Sequence, residues 1–93
     1  MEKYTERRRL SFSGRVQGVG FRYYAQYAAN DAGVTGWVRN EYDGSVTMEI
    51  QGTPRQIDEV INAIQRGRYI RIDNITSKTI PAEPNERRFR VRY

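Results

Sequence analysis

A change of hydrophobic period across one short glycine-rich segment restricts this chain more than any other feature. From Arg9 onward, Leu10, Phe12 and Val16 share one parity while Arg9, Ser11, Ser13 and Arg15 share the other, the alternation of a half-buried strand. Three glycines in Gly14-Arg-Val-Gln-Gly-Val-Gly-Phe-Arg22 interrupt the alternation. Phe21, Tyr24, Ala25, Ala28 and Ala32 then recur at helical spacing, and Gly33 supplies a stop. A strand must therefore turn sharply into a helix, through residues able to adopt left-handed backbone angles.

The rest of the chain continues the pattern. Gly36 to Asn40 and Ser45 to Gln51 read as strands joined through Asp43-Gly44, which favours a tight reversal. Thr53 caps a second helix, with Pro54 in its first turn, Gln56 in capping-box position, and Ile57, Val60, Ile61 and Ile64 as its buried stripe. A further strand is predicted between Ile70 and Ile80, with a slip of apolar parity between Ile72 and Ile75 that a bulge would produce. Pro81 to Asn85 reads as a loop, and Phe89, Val91 and Tyr93 alternate with Arg88, Arg90 and Arg92 in a short final strand.

The order βαββαβ plus a short C-terminal strand predicts an α+β, ferredoxin-like (split βαβ) sandwich, an antiparallel sheet with two helices on one face. In that topology the first two strands run the same way with the third between them. The loop after Val16 and the residue Asn40 then arrive at the same end of the sheet, about 10 Å apart.

Composition removes much of the chemical repertoire. A chain of 93 residues is expected to form one domain over 1–93, with the charged stretch 1–8 as a flexible lead-in. There is no cysteine, hence no disulfide framework, zinc ribbon or thiolate nucleophile, and no histidine, hence no imidazole base, ligand or phosphohistidine. No metal site and no cofactor are expected. The start lacks the apolar core of a signal peptide and no run of about 18 apolar residues occurs, so a cytoplasmic protein without a membrane partner is expected. A net charge of +5 favours an anionic partner without naming it.

A glycine-rich strand-to-helix turn can aim consecutive backbone N–H groups into one concavity, where the helix N-terminus adds a positive field. Arg22, at the helix start, can fold its guanidinium back over an anion held there. The segment has no Gly-Lys-Ser/Thr ending and no cysteine, which excludes a nucleotide P-loop and a phosphocysteine loop. Taken alone, it also suits a tight connection with no ligand, and Asn40 alone also suits a turn residue. Arg15, Arg39, Arg87, Arg88, Arg90 and Arg92 are expected on solvated faces, Tyr23, Tyr24, Tyr27, Tyr42 and Trp37 in packing, and Gly18 and Gly20 are attributed to the demands of the loop backbone.

Gly14-Arg-Val-Gln-Gly-Val-Gly-Phe-Arg22 is similar to the first signature of acylphosphatases. Gly36-Trp-Val-Arg-Asn40, followed by Gly44, Val46 and Gly52, resembles the second, with the spacing intact. Arg71-Ile-Asp73 and Phe89-Arg-Val-Arg-Tyr93 also resemble that family, while Met1 to Arg9 and Gly67-Arg68, where many relatives carry Gly-Pro, depart from it. The resemblance implies a metal-independent hydrolase that cleaves the carboxyl–phosphate bond of small acyl phosphates. By the same resemblance, the loop Arg15, Val16, Gln17, Gly18, Val19, Gly20, Phe21 and Arg22 binds the phosphate, Arg22 and Asn40 are catalytic, and the Asn40 amide orients the attacking water. Inorganic phosphate or sulfate is expected as a product-like ligand, and a monomer is expected.

Two other readings compete. RNA-recognition domains share the fold and a basic charge, but the central strands here turn Arg9, Ser11, Ser13, Arg15, Thr47, Glu49 and Gln51 to solvent and offer no stacking ring, so no nucleic-acid partner is expected. A stand-alone relative of the acylphosphatase-like domains of carbamoyl-transferring maturation enzymes would act on carbamoyl phosphate. The chain's end at Tyr93 is taken to disfavour it.

Overall fold

The computed structural model describes residues 4–93. Along the chain lie β1 (Glu6–Arg15), α1 (Phe21–Ala32), β2 (Thr35–Asn40), β3 (Val46–Gly52), α2 (Pro54–Gln65), β4 (Arg71–Ile80) and β5 (Phe89–Arg92). One sheet carries the order β4-β1-β3-β2-β5 with both helices on one face, the expected ferredoxin-like sandwich. β3 is antiparallel to both β1 and β2, so those two are parallel to each other and end on the same side.

The sheet is mixed rather than wholly antiparallel, because β5 lies parallel to β2. The connection explains this. β4 finishes at Ile80 opposite Arg7 and β5 starts at Phe89 opposite Gly36, both at the same end of the sheet, so a crossover that stays at that end forces β5 to run as β2 does.

Between the layers, Leu10, Phe12, Met48, Ile50 and Val38 from the sheet meet Phe21, Ala25 and Ala29 from α1 and Ile57, Val60 and Ile64 from α2. The α2 stripe is the expected one. That of α1 differs: Ala29 rather than Tyr24 continues it, and Tyr23, Tyr24, Tyr27 and Tyr42 are exposed, contrary to the expectation of packing. Small alanines let the helix axis sit close to the sheet, and a tyrosine at those positions would not fit the gap. The capping box forms as expected, with Thr53 Oγ1 accepting from the Gln56 N–H at 3.1 Å and Gln56 Oε1 accepting from the Thr53 N–H at 2.8 Å. Such a cap contributes about 1 kcal/mol. The Gln56 amide also donates to the Ala32 carbonyl at 2.9 Å, tying the end of α1 to the start of α2.

β1 begins at Glu6, three residues before the alternation becomes apolar, so Glu6, Arg7 and Arg8 belong to the sheet and not to a flexible lead-in. Charge hid this boundary. Arg7 is buried on the face away from the helices, donating to Glu49 at 3.1 Å and to Glu86 at 2.7 Å. Burial works against its charge, but the hydrogen bonds and attraction of Glu86 and Glu49 outweigh it and hold the guanidinium pKa above its ordinary value. Gln51 and Glu83 exchange two hydrogen bonds beside this cluster, so the crossover between β4 and β5 is fastened to the sheet. The parity slip in β4 is a bulge: Ser13 pairs with Asn74 and Gly14 with Ile72, leaving Asp73 over.

Gly36 shows what the second glycine-led motif requires. Its φ is +143°, and a Cβ there would lie 1.9 Å from the Glu49 carbonyl oxygen of the neighbouring strand. Gly36→Ala should therefore destabilise the protein by about 2 kcal/mol or more, since backbone strain and a clash with backbone combine. Chemical denaturation of the variant checks this, and an unchanged midpoint would contradict it.

Candidate active site

Three segments converge where β1 and β2 end. Val16 is buried, and after it the chain passes through Gly18 (φ +72°), Val19 and Gly20 (φ +83°) before α1 begins. Among the described residues only glycines have positive φ, so Gly18 and Gly20 flank Val19 with left-handed turns, a local geometry that can turn backbone N–H groups toward one concavity. A Cβ on Gly18 would meet nothing within 4 Å, so conformation and not crowding selects glycine there.

Gly20 occupies the N-cap without any side-chain cap, and the first hydrogen bond within α1 runs from the Tyr24 N–H to the Gly20 carbonyl at 2.9 Å. The N–H groups of Phe21, Arg22 and Tyr23 thus have no partner in the helix, and no acidic side chain occupies its first turn. Their partial positive charge remains available to an anion.

The loop is fixed from both sides. The Phe21 ring packs against Phe12 in the core, with centroids 4.9 Å apart. The Gln17 side-chain amide donates to the Glu41 carbonyl at 2.7 Å and to the Ser45 carbonyl at 2.9 Å, bridging the loop to the β2–β3 hairpin just beyond Asn40. That hairpin is itself ordered. Gly44 takes φ +93°, and Asp43 accepts from the Ser45 N–H and hydroxyl, bonds that hold its carboxyl below the ordinary range.

A cavity of about 630 Å³ opens at this end of the sheet, and Val16, Gly18, Gly20, Phe21, Arg22 and Asn40 form part of its wall. Arg15, Gln17 and Val19 are not in that wall: Arg15 is exposed at the end of β1, and Gln17 serves as the bridge. Asn40 Oδ1 is buried and has no hydrogen-bond partner among the described residues. An unpartnered buried acceptor costs about 1–3 kcal/mol, and this one retains the capacity for a further hydrogen bond beside the cavity. Arg22 donates to the Arg92 carbonyl at 3.3 Å and its guanidinium lies 4.9 Å from the Tyr93 ring centroid, leaving its remaining N–H groups free of carboxylates among the described residues. No Asp or Glu belongs to the wall, and among the described residues no group of three or more Asp, Glu, His or Cys could hold a metal ion.

Known proteins provide an independent comparison. The acylphosphatase family profile matches residues 8–91. The chain belongs to the acylphosphatase family. It is 38% identical to an acylphosphatase of Oceanobacillus iheyensis over 87 residues, covering 91% of this chain and 96% of that one. To an acylphosphatase of Salinibacter ruber it is 42% identical, covering 99% of each. The crystal structure of the Bacillus subtilis acylphosphatase superposes with a TM-score of 0.86 at 30% identity, covering 97% of this chain and 100% of that chain. Acylphosphatases are hydrolases, and this chain has their fold.

Sequence reasoning missed the far wall of the cavity, formed by Tyr23, Gln26, Phe89, Val91 and Tyr93. Phe89 and Val91 showed the parity of a strand, but nothing in that parity placed β5 beside α1. Trp37, in contrast, is buried as expected, under guanidiniums of Arg9, Arg39 and Arg92 at 5.7, 5.0 and 4.6 Å from its ring centroid. Arg39 and Arg92 therefore pack on an aromatic face and are not simply solvated. Covered in this way, Trp37 offers no free ring on the open sheet face.

Gln17→Ala should leave two hairpin carbonyls without their donor and lower stability by about 1–2 kcal/mol. Hydrogen exchange at Gly18 to Arg22 should accelerate with it, and unchanged exchange would contradict the bridging role.

Proposed function

We propose that this protein hydrolyses acyl phosphates to a carboxylate and inorganic phosphate without a metal ion, gripping the phosphate with the N–H groups of the Gly18–Arg22 loop and the Arg22 guanidinium. The observation that carries the reading is the pairing, in one cavity wall, of an uncapped helix N-terminus beside Arg22 with the buried, unpartnered Oδ1 of Asn40. One arrangement suits a tetrahedral dianion, the other a water molecule.

The chemistry needs nothing more. Water attacks phosphorus, the bond from phosphorus to the acyl oxygen breaks, and the carboxylate departs with the bonding pair. Its departure is easy because a carboxylate is a weak base, so positioning and charge stabilisation suffice. Asn40 Oδ1 accepts one O–H of the water and leaves an oxygen lone pair facing phosphorus. An amide is too weak a base to keep the second proton, which passes to a phosphate oxygen of the substrate. Arg22, with its planar fork, spans two phosphate oxygens as charge builds on them.

Inorganic phosphate and sulfate should act as competitive inhibitors, because the loop recognises the tetrahedral anion. Arg22→Lys should lower kcat/KM for benzoyl phosphate by about 10²-fold to 10³-fold, since a lysine ammonium cannot form the fork. Steady-state kinetics in excess chelator test both claims. Nearly full activity of Arg22→Lys would overturn the clamp, and loss of wild-type activity on chelation would overturn the metal-free mechanism.

A further inference from the structure

The outer face of α1 carries no charge, although it faces water. Tyr23 is 80% and Tyr27 79% exposed, and from Tyr23 to Asn30 the chain has no Asp, Glu, Lys or Arg. On α2, by contrast, Arg55, Asp58 and Glu59 take exposed positions. Phe21 and two alanines supply the buried stripe of α1, so the fold itself does not require these rings. Aromatic surface gathered in water on one element marks a contact with something outside the chain.

These rings border the candidate active site. Gly20, Tyr23, Tyr24, Gln26, Tyr27 and Asn30 line an open groove, and Gly20, Tyr23 and Gln26 also belong to the wall of the cavity that contains Arg22 and Asn40. The two meet at Gly20, where a Cβ would lie 3.6 Å from the Tyr24 ring, so that ring rests beside the backbone at the helix N-terminus. From Gly20 to Tyr27 the helix rises about 10 Å, roughly the length of an extended octanoyl chain.

Direction agrees with this continuity. Displacement at phosphorus is in line, so the leaving oxygen lies opposite the attacking water. With water held at Asn40 in the sheet layer, the leaving group points away from the sheet, toward the outer side of α1. The groove there has no charged side chain in its lining.

Resting on the reading that this site hydrolyses acyl phosphates, we propose that Tyr23, Tyr24 and Tyr27 bind the acyl group and select substrates with a neutral, extended apolar acyl chain. The loop and Arg22 grip the phosphate. The chain lies along the tyrosine rings, where each added methylene leaves water as far as Tyr27 reaches.

Acetyl, butyryl and octanoyl phosphate test this, because their carboxylates are leaving groups of nearly equal strength. Wild-type kcat/KM should rise by about tenfold or more from acetyl to octanoyl phosphate, as partial burial of the added methylenes implies. The gain should come chiefly through a lower KM, since the chain is bound alike in the ground and transition states. Tyr27→Ser should remove most of the gain between butyryl and octanoyl phosphate and leave acetyl phosphate turnover unchanged. Tyr69→Ser, which removes another exposed ring beyond the end of α2, should keep the full series. A flat wild-type series, a gain that survives Tyr27→Ser, or a gain that Tyr69→Ser also removes would overturn the proposal. So would a wild-type dimer that Tyr27→Ser converts to a monomer, which would seat a second copy on this face. Hydrolysis of none of the three by the wild type would instead overturn the reading beneath it, and this inference with it.

Discussion

The insertion of β3 between β1 and β2 is the constraint on which the rest of the structure depends. Because β3 is antiparallel to both, its two neighbours must point the same way, and the loop after β1 and the residue closing β2 reach one end of the sheet. Asn40 and the Gly18–Arg22 loop are about twenty residues apart in sequence, yet neither needs a long excursion to meet the other. Gly36 makes the strand pairing possible, since any side chain there would displace the Glu49 carbonyl on β3. The glycine thus acts on the site from the opposite end of its own strand.

The electrostatic character of the site follows from backbone more than from side chains. Left-handed turns at Gly18 and Gly20 bring the chain into α1 without a side-chain cap, so its first N–H groups lack the kind of partner that Thr53 supplies at the start of α2. This loop is held rigidly, by Phe21 in the core and by Gln17 across to the hairpin, and such prior ordering lets donors act without reorganising during a reaction. The absence of Asp and Glu side chains from the wall serves the same end. Elsewhere Glu6, Glu41, Glu49, Asp73 and Glu86 pair with arginines, most completely around the buried Arg7.

Much of this was legible in the sequence, and the reasons differ by element. The β1–loop–α1 passage and α2 were readable because local signals agreed: period, glycine placement, and the Thr53–Gln56 box. Even the β4 bulge appeared, as a slip of apolar parity near Asp73. By contrast, the start of β1 was not readable, because Glu6, Arg7 and Arg8 are stabilised in the sheet by ion pairs with residues distant in sequence, which hydrophobic alternation cannot register. The α1 stripe was misread at Tyr24 because helical spacing alone does not say how close the sheet lies. At the candidate site, motif and topology brought Arg22 and Asn40 to one end of the sheet, and both line the cavity there, but Gln17 was read as a loop backbone position, and its bridging amide depends on a hairpin that only the tertiary fold brings within reach. The far wall from β5 was hidden for the same reason, since parity gives a strand's faces and not its neighbour.

In the proposed mechanism the Asn40 amide orients water while other groups hold the phosphate. Asn40→Ala tests it most directly, with kcat for benzoyl phosphate and the phosphate dissociation constant measured on one folded preparation. With this division of roles, kcat should fall by about 10²-fold or more while phosphate affinity stays within about twofold, because the lost interaction acts on the nucleophile and not on the bound anion. Intact kcat, with only a lower melting temperature, would contradict it and reduce Asn40 to a structural residue at the end of β2.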